Sequence, residues 1–294
     1  MVDLEKLKQK KSIKELLEFG IINLDKPSGP TSFDVSEAVK IRLNLRKTSH
    51  FGTLDPKVTG VLPIALNRAC KLTGFFLGED KEYVGIMRIH KEIPLREIKK
   101  AIKEKFLGKI IQKPPVKSRV KREEREREIK NFEILEKDGQ DILFKVECQG
   151  GTYIRKLIHD LGTHLRTGAH MLELRRVRAG IFKEYDEEYP TINLYEFEKA
   201  VSEYENRNEK TLKEIIIPGE IISEIYPVVR MKKAYIKKIS HGSPIYYEYL
   251  KISEDRKNKD RFCVFEGDKF MGVYKVTAEG KIFARPEFVL QEIK

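Results

Sequence analysis

His50-Phe51-Gly52-Thr53-Leu54-Asp55-Pro56-Lys57-Val58-Thr59-Gly60 is the segment on which the reading of this chain turns. It holds a carboxylate between two glycines, with a histidine upstream, and it has neither helical nor strand periodicity. Residues 46–60 therefore read as a loop. On chemistry alone Asp55 is a candidate nucleophile or general base. Asp-Pro also starts turns, and from the residues alone this turn-forming reading has the greater weight. His50 alone reads as a hydrogen-bonding residue more than a base. Upstream, Ile21–Leu24 is a strand candidate entering the turn Lys26-Pro27-Ser28-Gly29-Pro30. Thr31 with Asp34 forms a capping-box pattern, and Val35, Val39 and Leu43 continue it as a helix. Downstream, a helix is expected over Asn67–Leu77, a strand over Tyr83–Ile89 and a helix from Pro94 to Phe106. Residues 1–19 read as one short charged helix ending at Gly20.

The 294 residues suggest about two domains. Charged residues make up 35% and the net charge is +12, which favours a polyanionic partner, nucleic acid or an anionic membrane surface. Uninterrupted apolar stretches are only a few residues long, so no membrane span is expected, and Met1–Lys11 lacks the apolar region of a secretory signal. Cys70, Cys148 and Cys263 are odd in number and far apart, which fits a reducing compartment and gives no CxxC knuckle. No HExxH pair occurs, so no zinc site is expected.

A second informative segment is Cys148-Gln149-Gly150-Gly151-Thr152-Tyr153-Ile154-Arg155-Lys156-Leu157-Ile158. The glycines let a strand turn sharply into a helix whose face is Ile154, Leu157, Ile158 and Leu161. Arg155 then opposes the helix dipole in the first turn. Either a phosphate or carboxylate partner holds it there, or it faces solvent. A third segment, Lys113–Lys130, follows Pro114-Pro115 and is basic at its start. As a helix it would neutralise itself through pairs such as Glu126–Lys130, whereas as an extended loop it suits a phosphate backbone. Arg166, Arg175, Arg176 and Arg178 read as a second basic cluster. Strands flanking Asp138-Gly139 give a hairpin signal. After Pro218-Gly219, short strands at Arg261–Glu266, Phe270–Val276 and Ile282–Ala284 make a small β-rich module.

GIINLDKPSGPTS, HFGTLDPKVTGVLPIAL, KEYVGIMRI and GGTYIRKLIHDLG, in that order, resemble the motifs of the TruB-type pseudouridine synthases. QKPPVKSRVKREEREREI and GAHMLELRRVRAG resemble the archaeal and eukaryotic branch, the dyskerin-type catalytic subunits of H/ACA ribonucleoproteins. The likeness is good over about 20–180 and looser in the tail, which resembles a PUA domain, an RNA-binding module. Several independent motifs in one order are far more specific than any one alone.

The resemblance implies an α+β fold: a mixed, largely antiparallel sheet with flanking helices, plus a small β-rich PUA domain. It divides the chain into an extension (1–19), a catalytic domain (20–218) with a thumb loop at about 113–130, and a PUA domain (219–294). It makes Asp55 the catalytic aspartate, Arg155 its pairing partner and Tyr83 the residue stacking on the target base. Leu174 would wall the uracil pocket, His50 would lie beside the flipped nucleotide, and Lys26 and Pro27 would buttress the loop. Lys117, Lys121 and Arg122 of the thumb would contact RNA. The reaction is a redox-neutral isomerisation of uridine in rRNA or tRNA, which implies no cofactor and no metal. The implied partners are an H/ACA guide RNA, the substrate RNA, two small scaffold proteins and a kink-turn-binding protein, in an archaeal cytoplasm. Arg119, where a small residue is expected, and Tyr246–Lys257, which lacks an expected Pro-Gly turn, depart from the pattern. The rival readings are a stand-alone tRNA synthase and a non-catalytic RNA scaffold. The joint presence of Asp55, Tyr83 and Arg155 speaks against the scaffold.

Overall fold

A computed structural model describes residues 2–114, 121–231, 233–249 and 260–291. The chain begins with α1 (Leu4–Lys10), α2 (Ile13–Glu18), β1 (Gly20–Lys26), α3 (Ser32–Arg42), β2 (Thr48–His50) and β3 (Thr59–Leu66). A 3-10 turn over Asn67–Leu72 leads to α4 (Thr73–Leu77), β4 (Lys81–Ile89), α5 (Leu95–Lys105), β5 (Gly108–Gln112), β6 (Arg125–Asp138) and β7 (Asp141–Cys148). Then come α6 (Ile154–His164), β8 (Ala169–Ala179), β9 (Phe182–Lys183), α7 (Leu194–Glu205), α8 (Lys210–Ile215) and β10 (Ile216–Pro218). The remainder comprises β11 (Val228–Arg230), α9 (Ile236–Ser240), β12 (Ile245–Tyr246), β13 (Arg261–Glu266), β14 (Lys269–Glu279) and β15 (Ile282–Val289).

The large sheet runs β10-β1-β3-β8-β4-β7-β6-β5, with β2 and β9 pairing on its flanks. Its pairings are antiparallel except β3 with β8. The fold is thus α+β with a mixed, largely antiparallel sheet. A separate five-stranded sheet, β11-β13-β14-β15-β12, forms the C-terminal part.

Both strands at the parallel junction escaped the sequence reading. Along β3, Leu62, Ile64 and Leu66 enter one core while Val61 and Ala65 enter another. A strand buried on both faces shows no alternation, and Pro63 made it look less like a strand still. In β8 the arginines masked the strand, because each is satisfied internally. Arg175 forks onto Asp25 at 2.8 and 2.9 Å and also reaches Glu184, and Arg178 donates to Glu147 at 2.7 Å. Arg176 is buried outright. The expected second basic cluster is therefore not an open RNA-facing patch at Arg175, Arg176 and Arg178.

The first nineteen residues form two helices, not one. Ser12 and Glu15 make a reciprocal capping box that restarts the helix after Lys11. Ile13 and Leu16 join the core that holds α3, α5 and α6. Leu4 and Phe19 join the other core, together with Cys263, Phe265, Phe270 and Val273 of the C-terminal sheet. Phe19 stacks on Phe270 at 5.6 Å between ring centroids. The two sheets are thereby packed through one shared core. The α3 capping box of Thr31 with Asp34 forms as its spacing predicts. The segment expected as a helix over Asn67–Leu77 is a 3-10 turn followed by a short α-helix. Of the segment expected as a thumb loop over about 113–130, Arg125–Lys130 already belong to β6, where Arg125 to Ile129 pair with β5. Lys117, Arg119 and the 250–257 part of the departing tail segment lie outside the described residues.

Candidate active site

The loop between β2 and β3 is fixed from several sides. Phe51, Leu54 and Val58 are buried, and Phe51 stacks on Phe76 with centroids 4.5 Å apart. The Ser32 hydroxyl, fully buried, donates to Leu54 O at 3.1 Å and accepts from Leu54 N at 2.8 Å. The Lys26 ammonium, also buried, donates to Pro27 O, Pro56 O and Val58 O at 2.8 to 2.9 Å. Burial pushes the Lys26 pKa down, and the Asp55 charge partly opposes that. Pro27 itself is exposed, so the buttress is the lysine and its carbonyls.

Asp55 does start a turn, since its backbone carbonyl accepts from Val58 N at 2.9 Å. That bond leaves the carboxylate free, and it meets Arg155 Nη2 at 2.8 Å. The two side chains are 48% and 59% exposed, so the pair lies open at the surface. Arg155 sits in the first turn of α6, as the glycine break predicts. A carboxylate partner offsets its unfavourable place in the helix dipole.

Tyr83 and Leu174 lie on the paired strands β4 and β8. Tyr83 lies opposite Arg176, and Gly85 lies opposite Leu174. A side chain at Gly85 would collide with Leu174 Cδ1 and Phe144 Cζ, each 2.9 Å from the added carbon. Tyr83 and Leu174 are both buried. Burial raises the Tyr83 pKa, so the phenol stays protonated, and nearby Arg176 only partly counters this. His50 Nε2 lies 3.1 Å from Thr53 Oγ. Burial, followed by the Arg176 charge, lowers its pKa and keeps the ring neutral at neutral pH.

Arg176 is the residue sequence reasoning missed. Its guanidinium donates to Val61 O at 2.8 Å and Gly52 O at 3.1 Å, and its charge acts on the Tyr83 hydroxyl. It ties the loop to β3, and its charge reaches Tyr83 and His50. The available signal was its place two residues after Leu174 on one strand, on the same face. Lys81, 4% exposed, donates to Phe76 O and Glu79 O, and burial pushes its pKa down to about 8. Of the residues expected to contact RNA, Lys121 pairs with Glu123 and Arg122 Nε donates to Pro114 O at 3.4 Å. Neither touches the Asp55–Arg155 pair in the contacts described. Among the described residues no group of three or more His, Cys, Asp or Glu side chains could hold a metal ion. No helix among them is long and apolar enough to cross a membrane.

The TruB family pseudouridylate synthase N-terminal domain profile matches residues 40–154, and the tRNA pseudouridylate synthase B C-terminal domain profile matches 155–223. The chain belongs to the TruB family of pseudouridine synthases, isomerases that act on RNA.

Within the family its likeness is to archaeal members. It is 45% identical over 238 residues to a Methanocaldococcus jannaschii protein named "Probable tRNA pseudouridine synthase B", covering 80% of this chain and 69% of that one. A Pyrococcus horikoshii protein of the same name is 47% identical over 231 residues, covering 77% and 67%. The DKCLD (NUC011) domain profile matches residues 9–36. Among solved structures, a Cbf5-Nop10-Gar1 complex matches with a TM-score of 0.86 and 38% identity over 96% of this chain and 88% of that one. An H/ACA RNP bound to a substrate RNA containing 2'-deoxyuridine matches with a TM-score of 0.83 and 36% identity, covering 97% and 89%.

Proposed function

We propose that this chain is the catalytic subunit of an archaeal H/ACA ribonucleoprotein that converts uridine to pseudouridine in rRNA. The observation that carries this reading is the extent of the likeness to the Cbf5 complex. It runs over 96% of the chain, through the C-terminal sheet as well as the catalytic one. In this reading the C-terminal sheet is the PUA domain and grips the guide RNA. Base pairing between guide and target selects the site, and phosphate contacts to a chain of net charge +12 supply affinity. The partners are a guide RNA, two small scaffold proteins and a kink-turn-binding protein. A second reading, guide-independent modification of tRNA, is favoured by the names of the curated relatives.

The site's geometry suits the isomerisation. The target uridine leaves its stack to reach a surface carboxylate. The C1′–N1 bond breaks, the uracil turns, a C5–C1′ bond forms, the C5 proton departs and N1 gains one. Nothing is oxidised or reduced, so the chain needs no cofactor for it. Asp55 is the catalytic carboxylate, and attack on C1′, addition to the base and removal of a sugar proton are all chemistry open to it. Arg155 aims Asp55 through a charge-assisted bond. Tyr83 stacks on the base and Leu174 walls it, retaining the detached uracil away from water. His50 lies beside the flipped nucleotide, Lys26 supports the loop through the carbonyls of Pro27, Pro56 and Val58, and Lys117, Lys121 and Arg122 contact RNA.

The test measures tritium released from C5 of labelled uridine in target RNA. It uses this chain alone, with guide RNA, and with guide plus scaffold proteins, each beside Asp55→Asn. Turnover only with guide, abolished in Asp55→Asn with fold and guide binding kept, is the expected result. Turnover of a tRNA transcript without guide selects the second reading. Tight guide binding with no turnover in any condition would leave a scaffold. Unfolding of Asp55→Asn would make Asp55 a structural turn residue.

A further inference from the structure

α6 carries Arg155 in its first turn, yet its N-cap residue, Tyr153, offers no side-chain cap. The cap function comes from a residue 41 positions earlier. Gln112, the last residue of β5, is 2% exposed. Its Nε2 donates to Tyr153 O at 3.2 Å, and its Oε1 accepts from Tyr153 N at 3.0 Å. This two-point bond fixes Tyr153, the residue heading α6, as a strand partner would. Tyr153 O also accepts the first helical bond, from Leu157 N at 3.0 Å.

Two further contacts tie the same hairpin to the same turn. Gln149 N donates to Glu128 O at 2.9 Å, and Arg127 Nε donates to Gly151 O at 3.2 Å. Gly151 has φ +84, and a side chain there would press on the Arg127 guanidinium at 3.2 Å. The basic segment leaves the sheet immediately after Gln112, and Arg122 closes back on Pro114 O across its base. Its root and the head of the Arg155 helix are thus joined by one buried amide.

We infer that Gln112 is a positioning residue: its carboxamide locks the α6 N-terminus so that Arg155 holds Asp55 in place. The inference rests on the reading of Asp55 and Arg155 above. The chemistry fits the task. Along one edge a carboxamide presents a donor beside an acceptor, which matches the C=O and N–H of one extended residue. Burial makes both bonds costly to lose and so hard to distort. Displacement by about 1 Å at a reacting group costs on the order of 100-fold in rate, so loosening this joint reaches the chemistry without touching substrate.

The test is a cycle of Gln112→Met, Arg155→Met and the double variant, run beside Asp55→Asn. It uses single-turnover tritium release with whichever labelled RNA the wild-type chain turns over in the assay above. Gln112→Met should slow the chemical step about 10-fold and leave RNA affinity within 2-fold. In the Arg155→Met background it should change the rate by less than 2-fold, because both substitutions break one chain of contacts. Gln112→Glu, which keeps the acceptor for Tyr153 N–H and loses the donor, should give an intermediate loss. It carries the same cycle if Gln112→Met does not fold. A wild-type rate in a folded Gln112 variant overturns the inference. So does a full 10-fold loss that persists in the Arg155→Met background, or a loss of RNA affinity alone. Undiminished turnover by Asp55→Asn, or no turnover by wild type on any RNA, refutes the underlying reading and the inference with it.

Discussion

Replacing Arg155 with methionine should separate stability from activity. The Arg155–Asp55 contact is 2.8 Å long, but the partners are 59% and 48% exposed. An ion pair so open to water contributes about 0 to 1 kcal/mol, because solvent screens the charges and two long side chains lose freedom. Arg155 also opposes the helix dipole in the first turn of α6, so its removal returns about 0.3 to 1 kcal/mol. The two effects nearly cancel. The variant should melt within about 3 °C of wild type, since about 1 kcal/mol shifts the melting point of a protein near this size by roughly 2–4 °C. Catalysis should respond very differently. A carboxylate freed from its partner samples several rotamers, and misplacement of that order costs about 100-fold. The assay is single-turnover tritium release beside a thermal melt. A melting drop beyond about 6 °C, or a rate within threefold of wild type, would refute the reasoning.

Ser32→Ala should cost about 2–4 kcal/mol in denaturant unfolding, because both backbone groups of buried Leu54 lose their partner; a loss below about 1 kcal/mol would mean that water replaces the hydroxyl. Gly60→Ala should cost more than about 3 kcal/mol, since φ is +101 and the new carbon would lie 2.2 Å from the backbone oxygen of Arg176; a stable variant would show that β3 and β8 can part at their parallel junction. Lys81 gives a pH signature. Burial holds its folded pKa at about 8, below the ordinary 10.5, so between those values the unfolded chain binds more protons and stability rises with pH. The full span is worth about 3 kcal/mol, at 1.36 kcal/mol per unit. Wild type minus Lys81→Met, followed by unfolding between pH 7 and 10, should show this rise, and a flat difference would place the ammonium in water.

Order along the chain was legible where local chemistry decides it. The Thr31–Asp34 box, the Ile154–Leu161 helix face and the Asp138-Gly139 hairpin all formed as their spacing predicts. The hidden parts depend on neighbours remote in sequence. β3 shows no period because both its faces are buried, and β8 reads as a charged surface until Asp25, Glu147 and Glu184 arrive to pair with it. The same holds at the candidate site. An arginine in a first helical turn signalled a partner, and Asp55 is the carboxylate that meets it. Arg176 gave no such signal, because the carbonyls that hold it come from a loop and strand more than a hundred residues earlier.

The shared core between the sheets constrains synthesis. Phe19 stacks on Phe270 and Phe288, Lys10 pairs with Asp268, and Leu4 packs in one cluster with Val273. A ribosome makes the first of these partners more than two hundred residues before the second. Throughout that interval the apolar side of α1, the Phe19 ring and one face of β1 have no C-terminal sheet to cover them. Loop closure over such a distance is slow, and exposed apolar surface is an aggregation hazard while it lasts. During translation that apolar surface is therefore covered only once β14 and β15 have emerged.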